Sequence, residues 1–209
     1  MKKARYFVPD ISPVDRPELK SLVPKIVFVA ESPHISEVEP EVKAERRPLC
    51  GAAGRVWWKK LGEILQNESS EDVSLKRMEK LSSKNHIAVI NAVQFPLDPK
   101  VAAKYPEAEP VSNLGFAKAS GEYGYKKQKK SPEVQEAIKN LRKRLTDPSM
   151  KDAVVFPLGN DAEWFVSQAL TPEEYKERVK GKIPHPSAWW RQGGLFGRIA
   201  QEKLEEIFH

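Results

Sequence analysis

The sequence predicts an α/β domain in three layers, with helices on both faces of a central, four-stranded, mainly parallel sheet. Three observations lead there. Continuous β-branched and aromatic runs at residues 25–30, 86–91 and 152–156 have the composition of strands buried on both faces. Helix-period segments alternate with them, the order of βαβ units with right-handed crossovers. The chain has 209 residues, 40% hydrophobic and 31% charged, which describes one soluble globular domain. Folding at that length buries roughly 70% of the unfolded surface, so the core needs no staple.

Residues 1–24 contain Pro9, Pro13, Pro17 and Pro24. These prevent regular helix and predict an arm laid over the domain that residues 25–209 form. Lys25-Ile26-Val27-Phe28-Val29-Ala30 is the first strand and stops at Glu31-Ser32-Pro33-His34. Over residues 55–66, Val56, Trp57, Leu61, Ile64 and Leu65 recur at helical spacing and predict an amphipathic helix. His86-Ile87-Ala88-Val89-Ile90-Asn91 is the second strand. Residues 101–130 lack sustained periodicity; Tyr105, Phe116, Tyr123 and Tyr125 lead into Lys126-Lys127-Gln128-Lys129-Lys130, which reads as an insertion or mobile loop. Ser131-Pro132-Glu133 then opens a helix to Leu145, with Ser at the N-cap, Pro at the first position and Glu in the first turn. Asp152-Ala153-Val154-Val155-Phe156 is the third strand, helices follow at 161–170 and 172–180, Lys182-Ile183 is a short fourth strand, and a helix over 195–208 closes the chain. There is no internal repeat and no second domain.

Charge and cysteine content narrow the function classes. Lys and Arg total 35 against 29 Asp and Glu, a net charge of +6, which permits an acidic partner such as nucleic acid without demanding one. The single cysteine, Cys50, cannot form an intramolecular disulfide or by itself hold a four-thiolate zinc or iron–sulfur site, so a reducing compartment, the cytoplasm, is expected. The longest apolar run, residues 26–30, is far short of the ~20 residues of a membrane span, and no signal-peptide core follows the first residues. A monomer with neither membrane nor secretory character is the expectation.

In parallel sheets the ligand lies beyond the carboxyl ends of the strands. Residues 31–34, 91–96 and 185–187 occupy those ends, and their convergence predicts one shared site.

At these positions the chain resembles the uracil-DNA glycosylase superfamily, most closely the branch with motifs G-E-A-P-G, P-F-V-G-x-x-G, T-N-V-V-K and H-P. Ala30-Glu31-Ser32-Pro33-His34 resembles the first, Pro48-Leu49-Cys50-Gly51-Ala52-Ala53-Gly54 the second, Ile90-Asn91-Ala92-Val93-Gln94 the third and His185-Pro186-Ser187 the fourth. Leu158-Gly159-Asn160-Asp161-Ala162 is similar to the L-G-x-x-A helix start that follows the third strand. The branch holds an iron–sulfur cluster on four cysteines; here Cys50 stands alone and Phe95 occupies a ligand position, so neither metal nor organic cofactor is expected. Ala30 replaces the leading Gly of the first motif, His34 its closing Gly, and Leu49 the Phe that stacks on an extruded base.

The resemblance implies hydrolysis of an N-glycosidic bond in DNA, in base excision repair. The sugar becomes cationic as the base leaves as an anion, so the site needs a carboxylate on the sugar side and donors aimed at the departing base. Glu31 matches the carboxylate, orienting water or stabilising the sugar cation; the competing reading is a helix cap or a lysine partner. His185 matches the donor to the leaving base. Asn91 matches the carboxamide that reads a pyrimidine edge, against a strand-end side-chain turn. Leu49 and the turn beginning at Gly51 form the pocket floor, against helix capping by the glycines. His34 adds a second donor or fills space. Ser187, Trp189, Trp190 and Arg191 fall where the family carries its DNA-intercalating loop, with core burial the alternative for the tryptophans. The lysine run at 126–130 grips the DNA backbone or is a solvated loop. Two other functions remain: a glycosylase-fold protein that binds nucleic acid or a nucleotide without cleaving it, which Leu49 and His34 favour, and an enzyme acting on free nucleosides or nucleotides.

Overall fold

The computed structural model describes residues 7–40, 42–66, 69–96, 129–130 and 132–209. Three strands, β1 (Ile26–Ala30), β2 (Ile87–Asn91) and β3 (Val154–Pro157), form a parallel sheet in the order β2-β1-β3. In register, Ala30 lies beside Asn91 and Val29 beside Pro157. The carboxyl ends therefore finish at one edge.

Alternation along the strands feeds two cores. Val27 and Val29 of β1, Ala88 and Ile90 of β2 and Val155 of β3 face one side. There they meet Val134, Ile138, Leu141 and Leu145 of α4 (Pro132–Leu145) and Phe165, Val166 and Ala169 of α5 (Asn160–Ala169). Phe28, Ala30, Ile87, Val89 and Phe156 face the other side. Their partners are Trp57, Trp58 and Leu61 of α2 (Ala52–Gln66), Met78 and Leu81 of α3 (Leu75–Asn85), and Ala200 and Leu204 of α7 (Arg191–Phe208). Strands with both faces covered are why the sequence shows apolar runs rather than alternation. Phe28 stands edge-on to Trp57, ring centroids 4.9 Å apart, which ties α2 to the middle of the sheet.

Two short helices are also present, α1 (Ile35–Val38) beyond β1 and α6 (Pro172–Arg178) after α5. α6 begins with a capping box in which Thr171 and Glu174 satisfy each other's backbone N–H groups, with Pro172 at the first turn.

The fourth strand expected at Lys182-Ile183 is reduced to isolated parallel bridges, Val155 with Val179 and Leu158 with Ile183. The three residue steps from Val155 to Leu158 oppose the four from Val179 to Ile183. The extra residue falls around Gly181, whose φ of +117° only glycine adopts readily, and it interrupts the ladder. On α2, Val56 is exposed rather than inward, and Trp58 takes the buried place; the apolar stripe runs through Trp57, Trp58 and Leu61. In α7, Gln192, Gly193 and Gly194 are left-handed, so regular helix starts at Leu195, as the sequence predicts. Of the region 101–130 only Lys129 and Lys130 are among the described residues, and the Ser131 cap also lies outside them.

The N-terminal arm is anchored. Ile11 exchanges both backbone hydrogen bonds with Val89 on the free edge of β2, and Leu19 and Leu22 are buried against the α2–α3 side. Arg16 is almost fully buried and donates to the carbonyls of Asp10, Ala44 and Arg46, joining the arm to the loop before α2.

Candidate active site at the carboxyl ends of the strands

Backbone pairing continues past the sheet. Ala92 N–H donates to the Ala30 carbonyl at 2.7 Å, Val93 N–H to that of Glu31 at 2.9 Å, and Gly159 N–H to that of Ile183 at 2.8 Å. These bonds bring the segments carrying Glu31, Asn91 and His185 to one edge of the sheet. Glu31 is half-buried there.

Asn91 is held by a buried ion pair that the sequence did not announce. Its N–H donates to Asp10 Oδ1 at 3.0 Å. Arg144 Nη1 donates to the Asn91 carbonyl at 2.7 Å and to Asp10 Oδ2 at 2.6 Å, Nη2 to the Ala92 carbonyl at 3.0 Å, and Nε to Asn140 Oδ1 at 2.9 Å. Both members of the pair are buried. Burial pushes the Asp10 carboxyl up to about 7 against the opposing pull of Arg144. The arm and α4 thus clamp the backbone at the end of β2 from behind.

A second carboxylate, Glu37, lies against Asn91 and was missed from the sequence. It is 3% exposed and Asn91 1%. Glu37 Oε1 accepts from Leu49 N–H at 3.0 Å, and Oε2 accepts from Asn91 Nδ2 at 3.5 Å. Asn91 Oδ1 is buried with no hydrogen-bond partner among the described residues, and a buried acceptor left unsatisfied costs about 1–3 kcal/mol. Desolvation drives the Glu37 carboxyl up to about 8, with the bonds from Asn91 and Leu49 opposing it.

This shift carries a pH signature. An unfolded Glu titrates near ~4.3, so between there and about 8 the folded chain holds a proton that the unfolded chain has lost. Stability from Glu37 is complete below the unfolded pKa and lost as pH rises through the folded one, with a slope of at most about 1.4 kcal/mol per pH unit. Asp10 acts in the same direction. Urea denaturation should therefore give a higher unfolding free energy at pH 6 than at pH 8.5, with a shallower slope in Glu37→Gln. Stability rising across that interval would contradict the burial of these carboxyls.

The segment from Pro48 to Gly54 interlocks with α1. Leu49 is left-handed at φ +55°, and its carbonyl lies so close under Gly54 that a Cβ there would fall 1.6 Å from the oxygen. Gly54 is thus required by backbone approach. A Cβ on Gly51 would sit 2.7 Å from Ser36 Oγ and 3.4 Å from His34 Nδ1. Leu49 is buried, and Cys50 donates its S–H to the Ser36 carbonyl at 3.6 Å. Burial pushes the Cys50 thiol up to about 11, away from thiolate chemistry.

His34 and His185 share a local design. Ser36 N–H donates to His34 Nδ1 at 3.3 Å, and Ser187 N–H to His185 Nδ1 at 3.2 Å, each serine hydroxyl lying within 3.0 Å of the same nitrogen. A nitrogen that accepts from a backbone N–H carries no proton. The neutral ring therefore bears its proton on Nε2. Gly159 lets His185 approach β3: its φ is +91°, and a Cβ there would stand 3.0 Å from the His185 Cβ.

Beyond His185 the two tryptophans part. Trp189, grouped with the DNA contacts in the sequence reading, is a core residue at 6% exposure; its Nε1 donates to the Pro184 carbonyl at 2.8 Å and its ring lies 6.0 Å from that of Trp57. A large ring one residue from the 3-10 turn Pro186–Ala188 finds the α2 surface before it finds solvent. Trp190 is 75% exposed, and the Arg191 guanidinium lies 5.8 Å from its ring centre. Ser187 is exposed beside them.

A pocket of about 230 Å³ walled by Ile26, Val154, Phe156 and Ile207 lies at the amino end of the strands and includes none of these side chains. Among the described residues no group of three or more His, Cys, Asp or Glu is arranged to hold a metal ion. No protein-family model matches the chain, and no curated protein matches it significantly.

Proposed function

We propose that this chain is a DNA glycosylase-like hydrolase that cleaves the N-glycosidic bond of uracil or a related damaged base in DNA. The observation that carries the reading is the meeting of the Glu31, Asn91 and His185 segments at the carboxyl edge of one parallel sheet. In the reaction, water adds to the anomeric carbon as its bond to the base nitrogen breaks, leaving an abasic sugar and the free base. Glu31 faces the cationic sugar and orients the water. His185 Nε2–H donates to the base oxygen as it gains negative charge, and Asn91 reads the base edge. The bridges at Val179 and Ile183 are the remnant of the fourth strand of a three-layer glycosylase-like sandwich. The protein acts as a cytoplasmic monomer on DNA.

Trp190 and Arg191 serve the nucleic acid. Trp190→Ala should weaken binding by roughly 1–3 kcal/mol, the scale of one base stacked on an aromatic ring, and leave thermal stability unchanged because the ring is solvent-exposed. Fluorescence anisotropy with a labelled oligonucleotide reads the first and calorimetry the second. Equal affinity of parent and variant would remove Trp190 from the interface.

The enclosed amide of Asn91 and Leu49 at the stacking position favour a second reading, a protein of this fold that binds nucleic acid without cleaving it. The two separate on oligonucleotides carrying uracil, hypoxanthine, xanthine or a mismatched thymine, incubated with the protein and treated with alkali. Strand breaks at one of these bases support the hydrolase. Retention of DNA without breaks supports the binder.

A further inference from the structure

We propose that Glu37 is a specificity-determining positioning residue: its contact with the Asn91 carboxamide decides whether the amide oxygen or the amide nitrogen faces a bound base. The inference rests on the role of Asn91 proposed above.

The backbone of Asn91 cannot adapt, because its N–H is committed to Asp10 and its carbonyl to Arg144. What remains to the side chain is rotation of its terminal amide, which exchanges oxygen and nitrogen. Glu37 Oε1 is occupied by the Leu49 N–H, so Oε2 is the atom that meets the amide. When Glu37 is ionised it can only accept, Asn91 Nδ2 turns to it, and Oδ1, which has no donor among the described residues, takes the opposite position. When Glu37 is protonated, Oε2–H donates to Oδ1, and Nδ2 takes the opposite position. The first state suits a base presenting an imino N–H, as uracil does at N3. The second suits a base with an acceptor at that place, as cytosine has. The amide is enclosed, so a base reaches it only through a rearrangement of its surroundings.

Geometry and surroundings allow both states near neutral pH. Arg47 draws Glu37 towards ionisation, while burial, the larger influence, holds it back. The buried Cys50 thiol is close enough to interact with it, the backbone N–H of His34 also donates to its carboxyl, and Asp10 with Arg144 stands behind Asn91. Glu37→Gln discriminates between the states by chemistry. The glutamine oxygen keeps the Leu49 N–H, so its NH₂ faces Asn91 and can only donate, which fixes the amide with Nδ2 outward.

Two measurements on the full chain test this. In ¹⁵N-labelled protein, the Asn91 side-chain amide signals, assigned by their loss in Asn91→Ser, should titrate between pH 6 and 9 and stay flat in Glu37→Gln. In single-turnover cleavage, parental preference for uracil over cytosine in otherwise identical oligonucleotides should rise about tenfold or more from pH 6.5 to pH 8.5. In Glu37→Gln it should stay at the parent's low-pH value throughout. A parental amide signal that does not move, or one that moves equally in Glu37→Gln, overturns the inference whatever the cleavage shows. A parent that cleaves neither base overturns the glycosylase reading instead, and the amide signals alone then decide whether Glu37 controls Asn91.

Discussion

Arg144→Ala should destabilise the fold by about 3–5 kcal/mol, the cost of stranding a buried charge and its acceptors. That is a large part of the ~5–15 kcal/mol that holds a typical domain together. The guanidinium serves Asp10 Oδ2 and the carbonyls of Asn91 and Ala92 from one fork, and alanine takes this donor from all three acceptors, leaving Asp10 only the Asn91 N–H on its other oxygen. Arg144→Lys keeps the charge but not the fork, so it should recover a minor part of the loss. Because burial pushes Asp10 up to about 7, the carboxyl of the variant can escape its charge by taking a proton, and the defect should be smaller at pH 5.5 than at pH 8. Pairing Arg144→Met with Asp10→Leu removes both charges and should cost less than Arg144→Ala alone. Urea denaturation measures each. A loss under about 1 kcal/mol in Arg144→Ala would mean that water or another donor replaces the fork.

His185→Ala should slow single-turnover base release by about 10²–10³, since one preorganised donor to a developing anion supplies roughly 3–4 kcal/mol of transition-state stabilisation. The ring is set for this by Ser187, whose N–H fixes the proton on Nε2. Binding of uncleaved DNA should hardly change, because the interaction strengthens only as charge appears on the base. Loss of affinity with an unchanged rate for bound DNA would make His185 a binding group.

The three strands of the sheet and most long helices were legible because each is written locally. Val27 to Ala30 is an unbroken apolar run, and Pro132 with Glu133 marks a helix start. α3 was not seen: its stripe is Leu75, Met78 and Leu81 among lysines and serines, and the signal that could have found it was Ser74, whose side chain accepts from Arg77 N–H as an N-cap. Val56 and Trp58 were exchanged because a run of neighbouring apolar residues does not fix the phase of a helix. That the segments carrying Glu31, Asn91 and His185 meet at one edge was legible because each follows a strand end or a short parallel bridge. Glu37 was not legible, because a glutamate two positions from another has the composition of a solvated stretch, and only folding buries Glu37 while leaving Glu39 exposed. Asp10 and Arg144 are 134 positions apart, and no local pattern joins them.

The most direct test of the central claim is chemical: quantify free base by mass spectrometry after incubating the protein with single- and double-stranded DNA containing one uracil, and count abasic sites in the same sample. The expected result is free uracil equal in amount to the abasic sites, strongly reduced in both Glu31→Gln and His185→Ala. No free base from the parent with any of the lesions named above, or uracil released equally by parent and both variants, would contradict it.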